Sequence, residues 1–419
     1  MKLISRNKEI QRLVGNTSML YVLKLSGQLF PLITLPYLTR TLGPNNYGII
    51  IYCNAIISYF YLLIDYGFIL SATRKCSINR ENNAKLTEIV SSVLQAKILL
   101  SVLGFIVLLL VVYFVENFKE FQIYLLLSYI PVFISAFIAD YLFRGIENMK
   151  IITYRTIISK AIYTVLILIF VRNENDYLLI PIITSIGEFV NILWVWLYIY
   201  NKLSIKIINV GFRMIFNEIK EGSIYFLSRI ATTTYSSTNI LVLGLIYNNN
   251  ALLAQFGIAN KIILFIRGLF SPISDSLYPY MTYRKNFKII KIILLIVMPV
   301  ILVGIIILYL FSEPIITIIA GPGYEKAVGL FRLMLPLVLI TLPIYVFGFP
   351  VLGALNKNKE ANYSVITASI FHMIVLVTMY FLHIITFKTV IMLTIITEFI
   401  ILIYRLVIVG KEFKNNKKD

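Results

Sequence analysis

The sequence predicts an all-α integral membrane protein, with twelve transmembrane helices arranged as two six-helix lobes around a central cavity. Three observations lead to this fold class: the composition, the length of the apolar runs, and the distribution of charge among the loops. The 419 residues are 59% hydrophobic and only 14% charged, and the mean hydropathy is +0.86. Soluble globular chains have about 45–50% apolar and about 25% charged residues. This chain therefore carries more apolar surface than one soluble core can bury.

The apolar runs are long enough to cross a bilayer. A transmembrane helix needs about 20 mostly apolar residues, and it tolerates Pro or Gly because neighbouring helices satisfy the freed backbone groups. Twelve runs meet this requirement: residues 13–38, 47–70, 88–113, 121–142, 151–171, 177–200, 220–246, 251–280, 289–312, 328–354, 361–383 and 386–409. We therefore expect a multi-pass protein.

The loops alternate in charge along the chain. One set is basic and holds most of the 38 Lys and Arg residues. The other set holds only Arg40, Lys119, Arg172, Lys326 and Lys388. Basic loops face the cytoplasm, which predicts that both termini are cytoplasmic. The same pattern accounts for most of the net charge of +18, so no nucleic-acid partner is predicted.

An internal repeat relates the two halves of the chain. Tyr47-Gly48-Ile49 recurs 209 positions later as Phe256-Gly257-Ile258. The fourth and tenth spans end with further matches at nearly the same offset: Gly145 with Gly353, Asn148 with Asn356, and Tyr154 with Tyr363. The alternative explanation is the shared composition of apolar runs. A six-span repeat gives two lobes of equal orientation, which predicts an N-lobe of residues 1–205 and a C-lobe of residues 206–419.

Polar side chains recur at helical spacing inside several spans. A charge at bilayer depth costs at least about 2.5–3.5 kcal/mol, so it should face a partner or a wet cavity. Residues spaced three, four or seven apart share one face of a helix. Two such stripes run along the seventh and eighth spans, and Thr232, Thr233, Asn239 and Ser274 belong to them. The predicted cavity residues are Lys24, Gln28, Arg229, Ser236, Asn260, Lys261, Arg267 and Ser271.

This predicted cavity is cationic and suits an anion. Arg and Lys neutralise phosphate or acidic sugars, and Arg binds phosphate through two parallel hydrogen bonds. Under this interpretation, Arg229→Ala and Arg267→Ala impair transport and leave folding intact. The alternatives are that Arg229 pairs with a carboxylate such as Glu188 or Glu398, and that Lys97 and Arg332 merely extend towards the membrane surface.

Two carboxylates, Glu188 and Glu398, lie in the middle of the sixth and twelfth spans. A carboxylate in the membrane can carry a proton, so either residue could couple transport to an ion gradient. The alternative is a structural tie between helices. The sequence leaves both interpretations open.

No pattern in the sequence indicates an enzyme. There is no phosphate-binding GxxxxGK[ST] loop and no nucleophile elbow or zinc motif. Cys53 and Cys76 lack metal-like spacing. His372 and His383 are interpreted as packing or hydrogen-bonding residues. We therefore predict no catalytic residue, no metal site and no cofactor.

Several motifs resemble those of one transporter family. They are LFPLITLPYLTRTLGPNNYGII (29–50), DYGFILSATRK (65–75), DYLFRGIENMK (140–150), FGIANKI (256–262) and IAGPGYEKAVGLFRLM (319–334). The family is that of Wzx-type O-antigen and capsule flippases, in the multidrug/oligosaccharidyl-lipid/polysaccharide exporter superfamily. Tyr141 and Arg144 stand where that family often has Trp and Gln, so the third motif departs from the pattern.

The resemblance implies a specific fold, cargo and location. It implies two six-helix lobes and transfer of undecaprenyl-pyrophosphate-linked oligosaccharide units from the cytoplasmic to the outer leaflet of the bacterial inner (plasma) membrane. It also implies a polysaccharide polymerase and chain-length proteins as partners. Two alternatives are a drug or metabolite antiporter of the same fold and a membrane polysaccharide polymerase. The short loops disfavour the polymerase, and the excess of cations within the spans disfavours a carrier of cationic drugs.

Overall fold

A computed structural model describes residues 2–415, except for the side chains of residues 2–14, 17, 224, 227, 228, 231–236, 279 and 415. Over this range the chain is helical and forms no β-strand. The helices are α1 (Lys2–Asp65), α2 (Phe68–Ile78), α3 (Asn83–Phe114), α4 (Glu116–Lys119), α5 (Gln122–Ser135), α6 (Asp140–Gly145), α7 (Met149–Phe170), α8 (Leu179–Leu203), α9 (Phe212–Tyr247), α10 (Asn250–Gly268), α11 (Ser271–Arg284), α12 (Phe287–Leu310), α13 (Ser312–Ala320), α14 (Glu325–Phe347), α15 (Phe349–Ala354), α16 (Asn358–Phe381) and α17 (Phe387–Asn415). A short 3₁₀ helix covers Glu174–Leu178.

Ten helical stretches of the described residues are long and apolar enough to cross a membrane. The prediction of a multi-pass all-α membrane protein is therefore confirmed. The stretch α1 contains the predicted first span and most of the second, as two helices that meet at a kink at Gly43. Gly43 has φ 70°, a backbone conformation that glycine adopts without steric penalty.

The chain divides into two compact units. The first comprises Met1–Leu42 and Cys53–Ile230, and the second comprises Gly43–Tyr52 and Ala231–Asp419. Segment 43–52 of α1 thus packs with the second unit. The predicted lobe boundary at 205/206 was drawn from membrane topology rather than packing, and it stays a prediction.

The same pattern of helix packing occurs within each unit. In the first unit, α2 packs against α6, and α5 and α7 both pack against α8. In the second unit, α11 packs against α15, and α14 and α16 both pack against α17. The core of the first unit contains the buried aromatic residues Phe68, Tyr141 and Phe143. In each unit, one helix, α8 or α17, thus packs extensively against two others.

A buried cation binds the backbone where a helix is broken. In the first unit, α5 ends at Ser135 and α6 begins at Asp140. Lys97 Nζ donates hydrogen bonds to the carbonyl oxygens of Ser135 at 3.2 Å and Ile138 at 2.9 Å. In the second unit, the Arg405 guanidinium donates to the carbonyl of Ile344, in the last turn of α14. Both cations thus donate to backbone carbonyl groups at or just beyond the end of a helix, where partners within the helix run out.

Replacing Lys97 with methionine should lower the free energy of unfolding by about 1.5–3 kcal/mol, the usual value of hydrogen bonds to a charged group. Lys97 is only 6% exposed, so water cannot replace the lost ammonium group. The measurement is thermal unfolding of the purified protein in detergent. Lys119→Met is the control, because the Lys119 side chain is 56% exposed. Equal melting temperatures for the two variants would contradict this role of Lys97.

An extended segment between α8 and α9 is held along α3. Ile208 donates its N–H to Ser91 Oγ at 3.0 Å and accepts a bond from Gln95 Nε2 at 2.7 Å. Ile205 and Val210 in the same segment are buried. This connection is therefore part of the packed structure of the first unit.

Three glycines of the second unit lie where helices cross at close range. We call Gly48, Gly244 and Gly257 the glycine seam. A Cβ atom on Gly48 would lie 1.8 Å from the backbone oxygen of Asn250. A Cβ on Gly257 would lie 2.2 Å from Ile51 Cδ1, and one on Gly244 would lie 2.1 Å from the Tyr52 ring. Small residues allow helix backbones to approach closely in membranes. The seam thus joins segment 43–52 of α1 to α9 and α10.

Candidate functional site

The first unit holds three of the predicted cavity residues. Lys24 is exposed and Gln28 is half-buried, one turn apart on α1. Arg229 of α9 forms an ion pair with Asp65, at the end of α1. The side chains of this pair are 39% and 32% exposed. An ion pair with this much exposure contributes about 0–1 kcal/mol to stability.

The partner of Arg229 differs from both partners that the sequence suggested. Those partners were Glu188 and Glu398, in the middle of their spans, whereas Asp65 lies at a span end. Glu188 is half-buried on α8 and accepts a hydrogen bond from Asn191 Nδ2 at 3.0 Å. Asn191 lies on the same helix, so this bond orients the carboxylate without joining α8 to another helix.

The second unit contains a buried ion pair between two predicted site residues. Arg267 Nη2 of α10 lies 2.7 Å from Glu398 Oε1 of α17. Arg267 Nε also donates to Thr341 Oγ1 of α14 at 2.7 Å. The Arg267 side chain is 13% exposed and that of Glu398 is 2% exposed. Arg267, predicted to bind an anion, and Glu398, predicted to couple transport to an ion gradient, therefore form one ion pair. Together with Thr341, this pair joins three helices.

This pairing changes how Arg267 can be tested. Removing one partner of a buried ion pair leaves an uncompensated charge and costs about 3–5 kcal/mol. The sequence-based expectation was that Arg267→Ala leaves folding intact. In the structure, that variant leaves Glu398 buried without Arg267. A transport defect in Arg267→Ala would therefore mix a folding effect with a cargo effect.

The other predicted residues of the second unit are distributed along α10 and the start of α11. Lys261 is exposed, and its Nζ lies 3.0 Å from Tyr47 Oη and over the Tyr47 ring. Asn260 is half-buried. Ser271 is buried and donates to the carbonyl of Gly268 at 2.9 Å. The Ser236 side chain lies outside the described residues, as do those of Thr232 and Thr233.

Two cations, for which extension towards the membrane surface was one alternative, have internal partners. Lys97 binds the broken helix described above. Arg332 Nε donates to Ser312 Oγ at 2.6 Å, and its guanidinium stacks over the Tyr309 ring at 5.0 Å. Both residues stabilise the fold of their own unit, and neither belongs to the candidate cargo site.

A buried polar cluster in the second unit was missed by sequence reasoning. His372 of α16 is fully buried and contacts Thr397 of α17 and Asn239 of α9. Thr397 directly precedes Glu398, so this cluster adjoins the buried ion pair. The sequence signals were that Asn239 lies on the polar stripe of the seventh span and that His372 was interpreted as a packing or hydrogen-bonding residue.

The chain resembles curated proteins along most of its length. It is 28% identical over 368 residues to a protein of Escherichia coli (strain K12) named "Putative O-antigen transporter", covering 86% of this chain and 88% of that protein. A protein of the same name from Shigella dysenteriae is 28% identical over 274 residues, covering 65% of this chain and 68% of the relative.

Solved structures share the fold at low sequence identity. One is a multidrug resistance MATE family transporter of the MOP superfamily in an inward-facing conformation, with a TM-score of 0.72, 12% identity, and coverage of 92% of this chain and 95% of that chain. Another is the lipid II flippase MurJ in an inward closed conformation, with a TM-score of 0.69, 15% identity, and coverage of 96% and 89%.

These comparisons confirm the family resemblance predicted from the motifs. The MATE and MurJ structures establish the fold alone, because their sequence identities are low. The model of the family described as "Polysaccharide biosynthesis protein" matches residues 13–285. Because this match covers more than half of the chain, the protein belongs to the polysaccharide biosynthesis protein family.

Proposed function

We propose that this protein is a flippase that moves undecaprenyl-pyrophosphate-linked oligosaccharide repeat units from the cytoplasmic to the outer leaflet of the plasma membrane, for surface polysaccharides such as O-antigen or capsule. The observation that carries the proposal is the alignment with the E. coli O-antigen transporter over 86% of this chain. The fold is shared with a lipid II flippase and with a multidrug transporter, so it fits a transporter without selecting the cargo. The chain is accordingly a transporter and not an enzyme.

We further propose twelve spans in two lobes, of residues 1–205 and 206–419. The first apolar stretch, Ser18–Ile78, has 61 residues. At about 1.5 Å per residue it would extend roughly 90 Å, about three times the hydrocarbon core of a bilayer. Two spans that meet near Gly43 fit this length better than one.

A parallel repeat of the two halves is supported by the local backbone as well as by helix packing. Glu147 has φ 58° and Asn356, 209 positions later, has φ 59°. The hydrogen bond from Asn148 N to Phe143 O at 2.8 Å has a counterpart from Lys357 N to Leu352 O at 2.7 Å. The matching backbone positions of the two halves are thus 209 residues apart. The sequence matches of Gly145 with Gly353 and of Asn148 with Asn356, which are 208 apart, are therefore one position away from structurally equivalent residues.

The proposed location is the bacterial inner membrane, with both termini in the cytoplasm. The basic loops support this orientation, because Lys and Arg are retained on the cytoplasmic side during insertion. Association with a polysaccharide polymerase and chain-length proteins stays a prediction from the resemblance.

We propose that the cargo is held by alternating access in a cavity with a cationic lining. Lys24 and Lys261 are exposed, and Arg229 is half-exposed beside Asp65. These groups suit the pyrophosphate of the cargo. Gln28, Asn260 and Ser271 would offer polar groups to it, and Ser236 is retained from the sequence prediction. Glu188 and Glu398 stay candidate coupling residues.

The test is a deletion followed by re-expression, with the leaflet of the lipid-linked units as the readout. Spheroplasts are treated with a membrane-impermeant reagent that modifies only outer-leaflet sugars. We expect complete units to accumulate on the cytoplasmic leaflet after deletion and to move outward on re-expression. Units that reach the outer leaflet without polymerising would favour a polymerase. Unchanged lipid intermediates would favour an antiporter of the same fold.

A further inference from the structure

The connection between α8 and α9 exposes large apolar side chains outside the predicted spans. Ile207 and Ile208 are 54% and 44% exposed, and Phe212 and Phe216 are 75% and 64% exposed. These residues lie between the predicted span that ends at residue 200 and the one that begins at residue 220. Within a span, lipid covers such side chains, but in a loop they would face water. A cluster of exposed apolar side chains outside the spans marks an interaction surface.

The hydrogen bonds of this connection determine its depth along α3. Ile208 donates its N–H to Ser91 Oγ at 3.0 Å, and Gln95 Nε2 donates to the Ile208 carbonyl at 2.7 Å. Ser91 and Gln95 lie three and seven residues inside the predicted third span, which begins at residue 88. At about 1.5 Å per residue along the helix, Ile208 therefore lies roughly 5–10 Å inside the predicted span. Interfacial apolar segments enter the membrane to a similar depth of about 5–10 Å.

The opposite side of the same segment is packed against the protein. Ile205, Val210 and Ile215 are buried and belong to the core of the first unit. Val210 also donates its N–H to Gln95 Oε1 at 3.4 Å. Non-helical backbone at membrane depth is tolerated where protein groups satisfy it, and α3 supplies those groups here. The segment is therefore held in place with its exposed apolar face directed away from the core.

The first turns of α9 continue this exposed face. Phe212 and Phe216 are four residues apart and thus lie on one side of the helix. Arg213 and Lys220 are seven residues apart and lie beside them. A helix with aromatic side chains on one face and basic side chains along its edge is typical of segments that lie in the membrane interface.

Four exposed cations accompany the apolar face: Lys202, Lys206, Arg213 and Lys220. Within the part of the chain that the structure describes, none of them pairs with a carboxylate. The acidic residues of this stretch, Glu218 and Glu221, both bind Lys75 at 2.9 Å. The four positive charges are therefore available to an anionic partner.

We propose that residues 202–220, which we call the leaflet anchor, bind anionic phospholipids of the cytoplasmic leaflet. The Ile and Phe side chains enter the acyl region, and the Lys and Arg side chains extend to the headgroup phosphates. The cytoplasmic leaflet carries a negative surface potential that attracts basic segments beside a span. A soluble acidic protein would match the charge but could not reach Ile208 at its depth along α3. This inference does not depend on the transport function proposed above.

The first test determines whether the leaflet anchor contacts lipid. Phe216→Cys protein is labelled with a fluorescent thiol reagent and placed in vesicles of phosphatidylcholine and phosphatidylglycerol. Cys53 and Cys76 are buried and should stay unlabelled. We expect strong quenching by lipids that carry a nitroxide on the acyl chain, and little quenching by iodide on both sides of the membrane. Glu81→Cys, at an exposed turn outside the predicted spans, is the control and should show the reverse.

Two results of this test would overturn the proposal. If iodide quenches the label at position 216 as strongly as the label at position 81, the exposed face contacts water. If neither iodide nor nitroxide lipid quenches it, protein covers the face, either as a second copy of this chain or as another partner.

The second test measures the preference for anionic lipid at the same label. Nitroxide-carrying phosphatidylglycerol and phosphatidylcholine are compared at equal mole fractions. We expect phosphatidylglycerol to quench more strongly at low salt, and the preference to fall as salt screens the charges. Lys206→Gln, Arg213→Gln and Lys220→Gln should each weaken the preference, by up to roughly fivefold per removed charge. These side chains are exposed, so the variants should melt like the parent.

A matched control removes three charges from another exposed basic loop. The triple variant Lys285→Gln/Lys288→Gln/Lys291→Gln should keep the preference at position 216, whereas Lys206→Gln/Arg213→Gln/Lys220→Gln should lose it. Equal quenching by the two lipids in the parent would overturn the proposal. The same conclusion would follow if both triple variants keep the preference or if both lose it, because the preference would then not arise from the leaflet anchor.

Discussion

Replacing Gly48 with alanine should strongly destabilise the protein and abolish most of its transport. The added methyl group would lie 1.8 Å from the backbone oxygen of Asn250, and a backbone atom cannot rotate away. Overpacking typically costs about 1–3 kcal/mol and occasionally more; we expect at least the upper end here. The measurements are thermal unfolding in detergent and recovery of surface polysaccharide in a deletion strain.

The glycines of this protein provide a graded series of controls for that prediction. Gly304→Ala on α12 should be neutral or slightly stabilising, because nothing lies within 4 Å of the added atom and alanine is the better helix former. Gly257→Ala should have an intermediate effect, since the atom it meets belongs to the rotatable side chain of Ile51. If Gly48→Ala melts like Gly304→Ala, the close approach at the glycine seam is contradicted.

Breaking the buried pair between Arg267 and Glu398 should have the second large effect. Glu398→Ala or Arg267→Ala should lower the free energy of unfolding by about 3–5 kcal/mol, because each leaves a buried charge without its partner. Asp65→Asn is the matched control, and its effect should be about 0–1 kcal/mol because the Asp65–Arg229 pair is partly exposed. The measurement is thermal unfolding in detergent.

The double variant Arg267→Met/Glu398→Leu separates folding from transport. Well-packed apolar residues often replace a buried ion pair without loss of stability, so the double variant should recover most of the stability that each single variant loses. We expect it to fold and to move no lipid-linked units. Normal transport by the folded double variant would show that the pair serves structure alone. Single variants that melt like the parent would contradict the burial of the pair.

The sequence was sufficient to predict a multi-pass all-α membrane protein, but it could not reveal every interruption of the helices. Membrane spans are visible because every backbone group in lipid must be satisfied within a helix, which requires long apolar runs. The break between α5 and α6 had no such signal. Its carbonyl groups are satisfied by Lys97, 38 and 41 residues earlier. A hydrogen bond to a cation that is far away in the chain leaves no periodic pattern in the sequence.

The candidate site was predictable by residue type but not by partner. Helical spacing identified Arg229, Arg267 and Glu398 as polar residues inside spans. Their pairing depends on which helices pack together, and Asp65, the partner of Arg229, lies near a span end. His372 was interpreted as a packing or hydrogen-bonding residue, but its partner Asn239 is 133 positions away and could not be named. Local patterns identify buried polar groups, whereas tertiary packing decides what they bind.

The connection between α8 and α9 determines where the chain can be cut or extended. It joins the predicted lobes, and it would be an obvious place for splitting the protein into two co-expressed fragments or for inserting a fluorescent domain. Tolerance to such changes depends on how the local backbone is buried and bonded. Ile208 is bonded through its N–H and its carbonyl, and Ile205 is buried. An insertion here would pull this segment away from α3, whereas the exposed turn at Arg284–Asn286 between α11 and α12 offers a better position for a tag.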